Sequence, residues 1–241
     1  MLNAMYRFLI SLSTVFWIFA LMLGLMLAGS LMLPSNLSFF SGIDDEPLFG
    51  WLASNNDLSR TWWIWAIIAA IAALGLSTLV CTADFLMKKL TRHRFLLRIT
   101  PQVMHAGVLF VMLGHLLTGS FGFKNDYTLQ KGGEIEPLDG IRVSLVELDL
   151  TFDEYGLAVD WAARLKFAKG GTERTDEIRP SAPLYFGGLG FYFKSVAMEK
   201  EPQAVLRVSQ DPGAVWAFVG GMLLILGGLG FIYARWKGGV T

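Results

Sequence analysis

The chain has 241 residues, 54% hydrophobic and 17% charged, with 20 basic and 20 acidic side chains and no formal net charge. That balance lies far from soluble globular composition. The single cysteine, Cys81, excludes an internal disulfide, and no CxxC or CxxCH occurs, which excludes a thiol oxidoreductase and a c-type cytochrome.

The apolar residues fall in four runs, roughly 8–33, 62–85, 99–121 and 213–236. Each reaches the ~20 residues that a helix needs to cross ~30 Å of hydrocarbon. Charge orients them. Arg7, Lys88, Lys89, Arg92, Arg94, Arg98, Arg235 and Lys237 are eight basic residues set against one acid, Asp84, at one set of span ends. The positive-inside rule puts both termini and the short basic loop in the cytoplasm, and residues 34–61 and 124–210 outside. The expected fold is therefore membrane α-helical, with four transmembrane helices and a small exported antiparallel β-domain between helices 3 and 4. Its segments are 1–123 (three spans, about 8–33, 62–85 and 99–121, with exported loop 34–61), 124–210 (the β-domain) and 211–241 (the fourth span and a cytoplasmic tail).

Span one is about twice as long as the apolar core of a signal peptide and reads as an uncleaved anchor. Ala20, Gly24 and Ala28 form a stripe of small residues that lets another helix approach. In the exported loop, Phe39, Phe40, Phe49 and Trp51 suit a short amphipathic segment on the membrane face. Trp62, Trp63 and Trp65 open span two as interfacial anchors or, alternatively, a haem-stacking surface. Ala69, Ala73 and Ser77 make a second small stripe, Cys81 reads as a packing residue, and Asp84 is placed to pair with Lys88.

Span three, ITPQVMHAGVLFVMLGHLLTGSF, holds two of the three histidines, His105 and His115; the third, His93, sits in the basic loop and reads as solvated. An ionisable side chain inside a span marks a functional site by default. His105 lies about a third of the way in from the cytoplasmic side, and His115 is ~15 Å further out and ~80° round the helix. Met112 falls within ~20° of the direction of His105, and Met104 equally near that of His115. One porphyrin cannot be gripped by two imidazoles stacked this way, so each needs a partner ligand from elsewhere. Three readings stand for His105: a hydrogen bond to a neighbouring helix, a proton relay, or an axial haem ligand whose trans position another subunit fills.

Beyond span three the period changes. RVSLVELDLTF, LAVDWAARLKFA, LYFGGLGFYFKSVAM and AVLRVSQ read as strands, separated by LDG, DEYG and KGG turns, with a short helix as the alternative for DWAARLKFA. Asp211-Pro212-Gly213 opens span four as cap and first turn. Gly213, Ala217 and Gly221, then Gly227, Gly228 and Gly230, make it a close-packing helix.

Several stretches resemble the ResB/CcsB cytochrome c biogenesis proteins. TWWIWAIIAAIAALGLSTLVCTADF is similar to their second span and ITPQVMHAGVLFVMLGHLLTG to their third. GFKNDYTLQKGGEIEPLDG resembles the strand and turn that follow, IRPSAPLYFGGLGFYFKS the late strand pair, and DPGAVWAFVGGMLLILGGLGFIY the last span. The resemblance covers nearly the whole chain, which is shorter than many relatives and has no WWD segment. It implies an accessory subunit in the bacterial inner membrane, working with a CcsA/ResC-type partner within a holocytochrome c synthase complex. Haem b, held transiently and shared with that partner, would be delivered to an exported apocytochrome c; no nucleic-acid partner is implied. The family's membrane histidine falls on His105, as a ligand of haem iron, while His115 is a weak candidate to which no family role carries over. Two other readings are a haem-b membrane anchor for quinone/cytochrome electron transfer and a cofactor-free membrane scaffold.

Overall fold

The computed structural model describes residues 6, 8–87, 95–152, 154–155, 158–198 and 201–238. Arg7, Lys88, Lys89, Arg92, His93 and Arg94, used above for orientation, pairing and solvation, lie outside the described residues. The helices are α1 (Leu12–Ser35), α2 (Leu37–Phe40), α3 (Leu48–Ser54), α4 (Leu58–Met87), α5 (Phe95–Phe121) and α6 (Ala214–Gly238). Eight strands lie in sequence between α5 and α6. The fold divides into a helical unit and a strand unit, the latter formed by Phe121–Asp211 with the short segment Asp44–Pro47.

Four helices are long and apolar enough to cross a membrane: Leu12–Ser35, Leu58–Phe85, Leu97–Phe121 and Ala214–Lys237. The third is the least apolar, with a mean hydropathy of 1.5 against 2.2 or 2.3 for the others. It is the one that carries His105 and His115. Asp57 starts α4 as a cap: its carboxylate accepts the Ser59 N–H at 3.0 Å and the Ser59 hydroxyl at 2.6 Å, and the Arg60 guanidinium approaches to 3.2 Å. These bonds, that with the Ser59 hydroxyl foremost, hold the Asp57 carboxyl below its ordinary value.

Small residues decide which helices meet. A Cβ on Gly220 of α6 would lie 2.6 Å from the Gly107 carbonyl oxygen of α5, and one on Gly114 would lie 2.8 Å from that of Gly213. A Cβ on Gly213 itself would collide with the Gly114 carbonyl and the Thr118 hydroxyl, so the turn before α6 needs glycine for packing. Gly227 and Gly230 meet Met104 and Thr100 in the same way. The two backbones therefore run in near contact along antiparallel helices, and Phe110 stacks on Trp216 with centroids 5.7 Å apart. Gly221 and Gly228, expected in this seam, face open space. A step of one residue turns a side chain by ~100°, and the seam follows Gly213, Ala217, Gly220, Leu224 and Gly227 instead.

The stripe on α1 is likewise displaced. Ala20 and Gly24 are exposed, and nothing approaches Gly24. Contact with α4 runs through Gly29, where a Cβ would lie 2.5 Å from the Trp63 ring. Further along, the Ser77 hydroxyl donates to the Leu9 carbonyl at 2.5 Å and the Tyr6 hydroxyl donates to Asp84. On α4, Ala69 is exposed, whereas Ala70, Leu74, Gly75, Ser77 and Thr78 are buried. Of the three tryptophans that open α4, Trp62 and Trp65 face outward while Trp63 turns in. Among the aromatic residues of the 34–61 loop, Phe49 is exposed, whereas Phe40 and Trp51 turn in. Phe40, Trp51, Leu52 and Ile64 form a buried cluster, with Phe39 and Trp63 packed against it and Arg60 over the Phe39 ring at 4.9 Å.

The strand unit has two four-stranded antiparallel sheets. Its strands are β1 (Phe123–Leu129), β2 (Glu134–Leu138), β3 (Ile141–Phe152), β4 (Ala158–Lys169), β5 (Thr172–Ile178), β6 (Leu184–Phe186), β7 (Leu189–Met198) and β8 (Pro202–Gln210). One sheet is ordered β1-β8-β7-β6 and the other β2-β3-β4-β5. Alternate residues of β3, β4, β7 and β8, with Leu129 and Ile178, point into one shared core: Val143, Leu145, Leu165, Phe167, Phe191, Leu206 and Val208 are among its fully covered side chains. DWAARLKFA belongs to β4, so its alternation is that of a strand. LYFGGLGFYFKSVAM is two strands, because Gly187 and Gly188 (φ 62° and 91°) form a two-residue hairpin turn between paired Phe186 and Leu189. Gly170 and Gly171 (φ 55° and 82°) do the same between β4 and β5.

On the outer face of the first sheet, Asp126 of β1 accepts from Arg207 of β8 at 2.8 and 3.0 Å and from Lys194 of β7 at 2.6 Å. Hydrogen bonds from Arg207 and then Lys194 hold its carboxyl at about 2. The Asp44 carbonyl accepts the Lys124 N–H at 2.7 Å, tying the short loop segment to β1.

Two outcomes follow. Gly220→Ala should destabilise the protein by about 1–3 kcal/mol through overpacking, whereas Gly221→Ala should be neutral or mildly stabilising, since alanine is the better helix former; thermal unfolding in detergent measures both. Asp126 is more acidic folded than unfolded, so its stabilisation is complete above the ordinary carboxylate value and fades as pH falls from about 4 to about 2. Asp126→Asn should lower stability near neutral pH by about 0.2–1 kcal/mol, the range for solvent-exposed pairs, and should remove that acid-side slope in denaturant titrations.

Candidate functional site

Helix α5 has two sides. Thr100, Met104, Gly107, Val111 and Gly114 recur at alternating four- and three-residue steps and all face α6. His105 projects ~140° away from that seam, and Met112 ~120° away. The Met112 Cε would lie 2.9 Å from a Cβ on Gly75, which fixes the Met112 side of α5 toward α4. His105 is on this same side, two turns nearer the α4–α5 loop. Pro101, one turn before it, has no N–H to give the Leu97 carbonyl, so the backbone ladder is already interrupted there.

The His105 side chain is half-buried. Its Nδ1 is fully covered and has no hydrogen-bond partner among the described residues. The same is true of the Gln102 Oε1, one helical turn away, and of the Thr82 Oγ1 on α4. Buried polar side-chain atoms are nearly always satisfied, and leaving one unpaired costs about 1–3 kcal/mol. Three such atoms on two neighbouring helices need an explanation. Gln102 and Thr82 had no part in the sequence reading. The signal was there for Gln102, an amide three residues before a histidine in an apolar run, but not for Thr82, whose hydroxyl resembles the backbone-bonded Thr78.

His115 lies on the exposed surface of α5, and the structure does not bring it to His105. Among the described residues no group of three or more His, Cys, Asp or Glu side chains could hold a metal ion. A haem iron needs an imidazole nitrogen with a free lone pair on an accessible face. His105 meets that requirement in part: it is half-open, and its Nδ1 has no partner among the described residues.

No protein-family model matches the chain, and no curated protein matches it. Among solved structures it is similar to "Cytochrome c Heme Lyase CcmF", with 19% identity and a TM-score of 0.47 over 69% of this chain. The chain corresponds to 31% of that protein's length, and a likeness of this degree fixes neither family nor role.

Proposed function

We propose that the chain is an accessory, haem-handling subunit of a membrane complex that attaches haem b to exported apocytochrome c, the role implied by its ResB/CcsB resemblance. One observation carries the reading: an imidazole within a candidate span, half-open and turned away from the α6 seam. The similar solved protein bears the name of a haem lyase, but the proposal stands on His105 and the sequence motifs.

In this reading His105 would hold the haem iron through its imidazole, and a multi-span partner of CcsA/ResC type would complete the site. The charge asymmetry of the span ends supports cytoplasmic termini, and with them a His105 in the inner part of the bacterial inner membrane. Haem, when bound, supplies the vinyl groups that react with the two thiols of the apocytochrome. What the chain does is positional: close packing keeps α5 fixed against α6, so that the imidazole that would hold haem has one direction in which to point. The strand unit lies on the periplasmic side and offers edge strands to an extended segment of apocytochrome.

The complex with its partner, purified from cells, should show a b-type Soret band. His105→Ala should abolish that band and reduce c-type cytochrome yield at least tenfold, whereas His115→Ala should leave both within twofold. Full haem content and yield in His105→Ala would remove the ligand role; no Soret band in the unaltered complex would leave a scaffold.

A further inference from the structure

Gln102 and His105 are three residues apart on α5, the spacing at which helical side chains meet. Each carries one buried polar atom with no partner among the described residues, Oε1 on the amide and Nδ1 on the imidazole. The two are complementary. An amide oxygen can only accept, and an imidazole nitrogen that carries the ring proton donates. Thr82 completes the surroundings: it lies seven residues beyond Gly75 on α4, as His105 lies seven residues before Met112 on α5. Seven residues advance each antiparallel helix by ~10.5 Å and turn it by only ~20°, so Thr82 shares the depth and the interface of His105. Its hydroxyl both donates and accepts, and can serve the second lone pair of the Gln102 oxygen.

We infer that Gln102 is a positioning residue for His105: rotation about its side-chain bonds lets Oε1 accept the Nδ1–H bond. The neutral ring is thereby held in the tautomer whose Nε2 lone pair is free for a metal. The purpose of the pair rests on the proposed haem role, but the pair itself is a property of this chain alone. Metal-binding histidines generally give their second ring N–H to an oxygen, and loss of that oxygen weakens the metal 10–100-fold. Were the amide turned about, its NH2 would donate to Nδ1, the proton would sit on Nε2, and the ring could not ligate.

The test uses the full chain in detergent with ring-15N-labelled histidine, the His105 signals being assigned with His93→Gln and His115→Gln. His105 should carry its proton on Nδ1, with Nε2 unprotonated, by at least tenfold. Gln102→Leu should abolish that bias, Gln102→Glu should keep it, and Thr82→Val should leave the Nδ1–H form dominant. In the haem-loaded complex, Gln102→Leu should weaken haem retention about 10–100-fold, and Gln102→Glu should restore it with a lowered reduction potential. An Nε2–H ring in the unaltered chain, or a tautomer unmoved by Gln102→Leu, overturns the inference. If the tautomer responds as stated while the complex holds no haem, the haem reading fails and the pairing stands.

Discussion

The glycine-lined contact between α5 and α6 is the constraint on which the rest of the site depends. In lipid, two apolar helices gain nothing from hydrophobic burial, so they associate by packing and polar contacts. Here Gly107, Gly114, Gly213 and Gly220 remove the side chains that would hold the backbones apart. One side of α5 is thereby used up. With Met112 set against Gly75, the angular position of His105 is fixed as well: away from α6, on the side shared by α4 and the open surface. A helix free to rotate could present that imidazole in any direction. This one is held there.

The strand unit is stabilised by different means. Its core is built from alternate residues of the two sheets, and the fully covered Phe167 and Phe191 meet edge to face with centroids 5.0 Å apart. Asp126 joins three strands on the outer face through Lys194 and Arg207, a polar clamp over an apolar layer. The neighbouring tie between Asp44 and Lys124 means that part of the loop preceding α3 belongs structurally to the strands.

Much of this was legible in the sequence, for reasons that differ from element to element. The four candidate spans were readable because bulk hydropathy over twenty residues needs no knowledge of neighbours. β3, β4 and β8 were readable from period-two alternation. β5, TERTDEI, was not: it is an edge strand with only Ile178 fully buried, so its charges hid the pattern. The glycine stripes announced close packing, yet could not tell Gly220 from Gly221, since the choice depends on where the partner helix lies. Ala20 and Gly24 show the same limit from the other side, as a stripe with no partner in this chain's described residues. His105 stood out because an imidazole in hydrocarbon is anomalous in any context. Gln102 and Thr82 did not, because being unsatisfied is a property of surroundings and not of residue type.

The central claim is that the His105 ring itself contacts iron, and chemical rescue tests it most directly. In the complex of His105→Gly with its partner, the account predicts a lost or altered Soret band that millimolar imidazole restores, along with c-type cytochrome assembly. The same addition should change nothing in the unaltered complex. A His105→Gly complex whose spectrum is normal before imidazole is added, or stays haem-free at saturating imidazole despite intact assembly with the partner, would contradict the account.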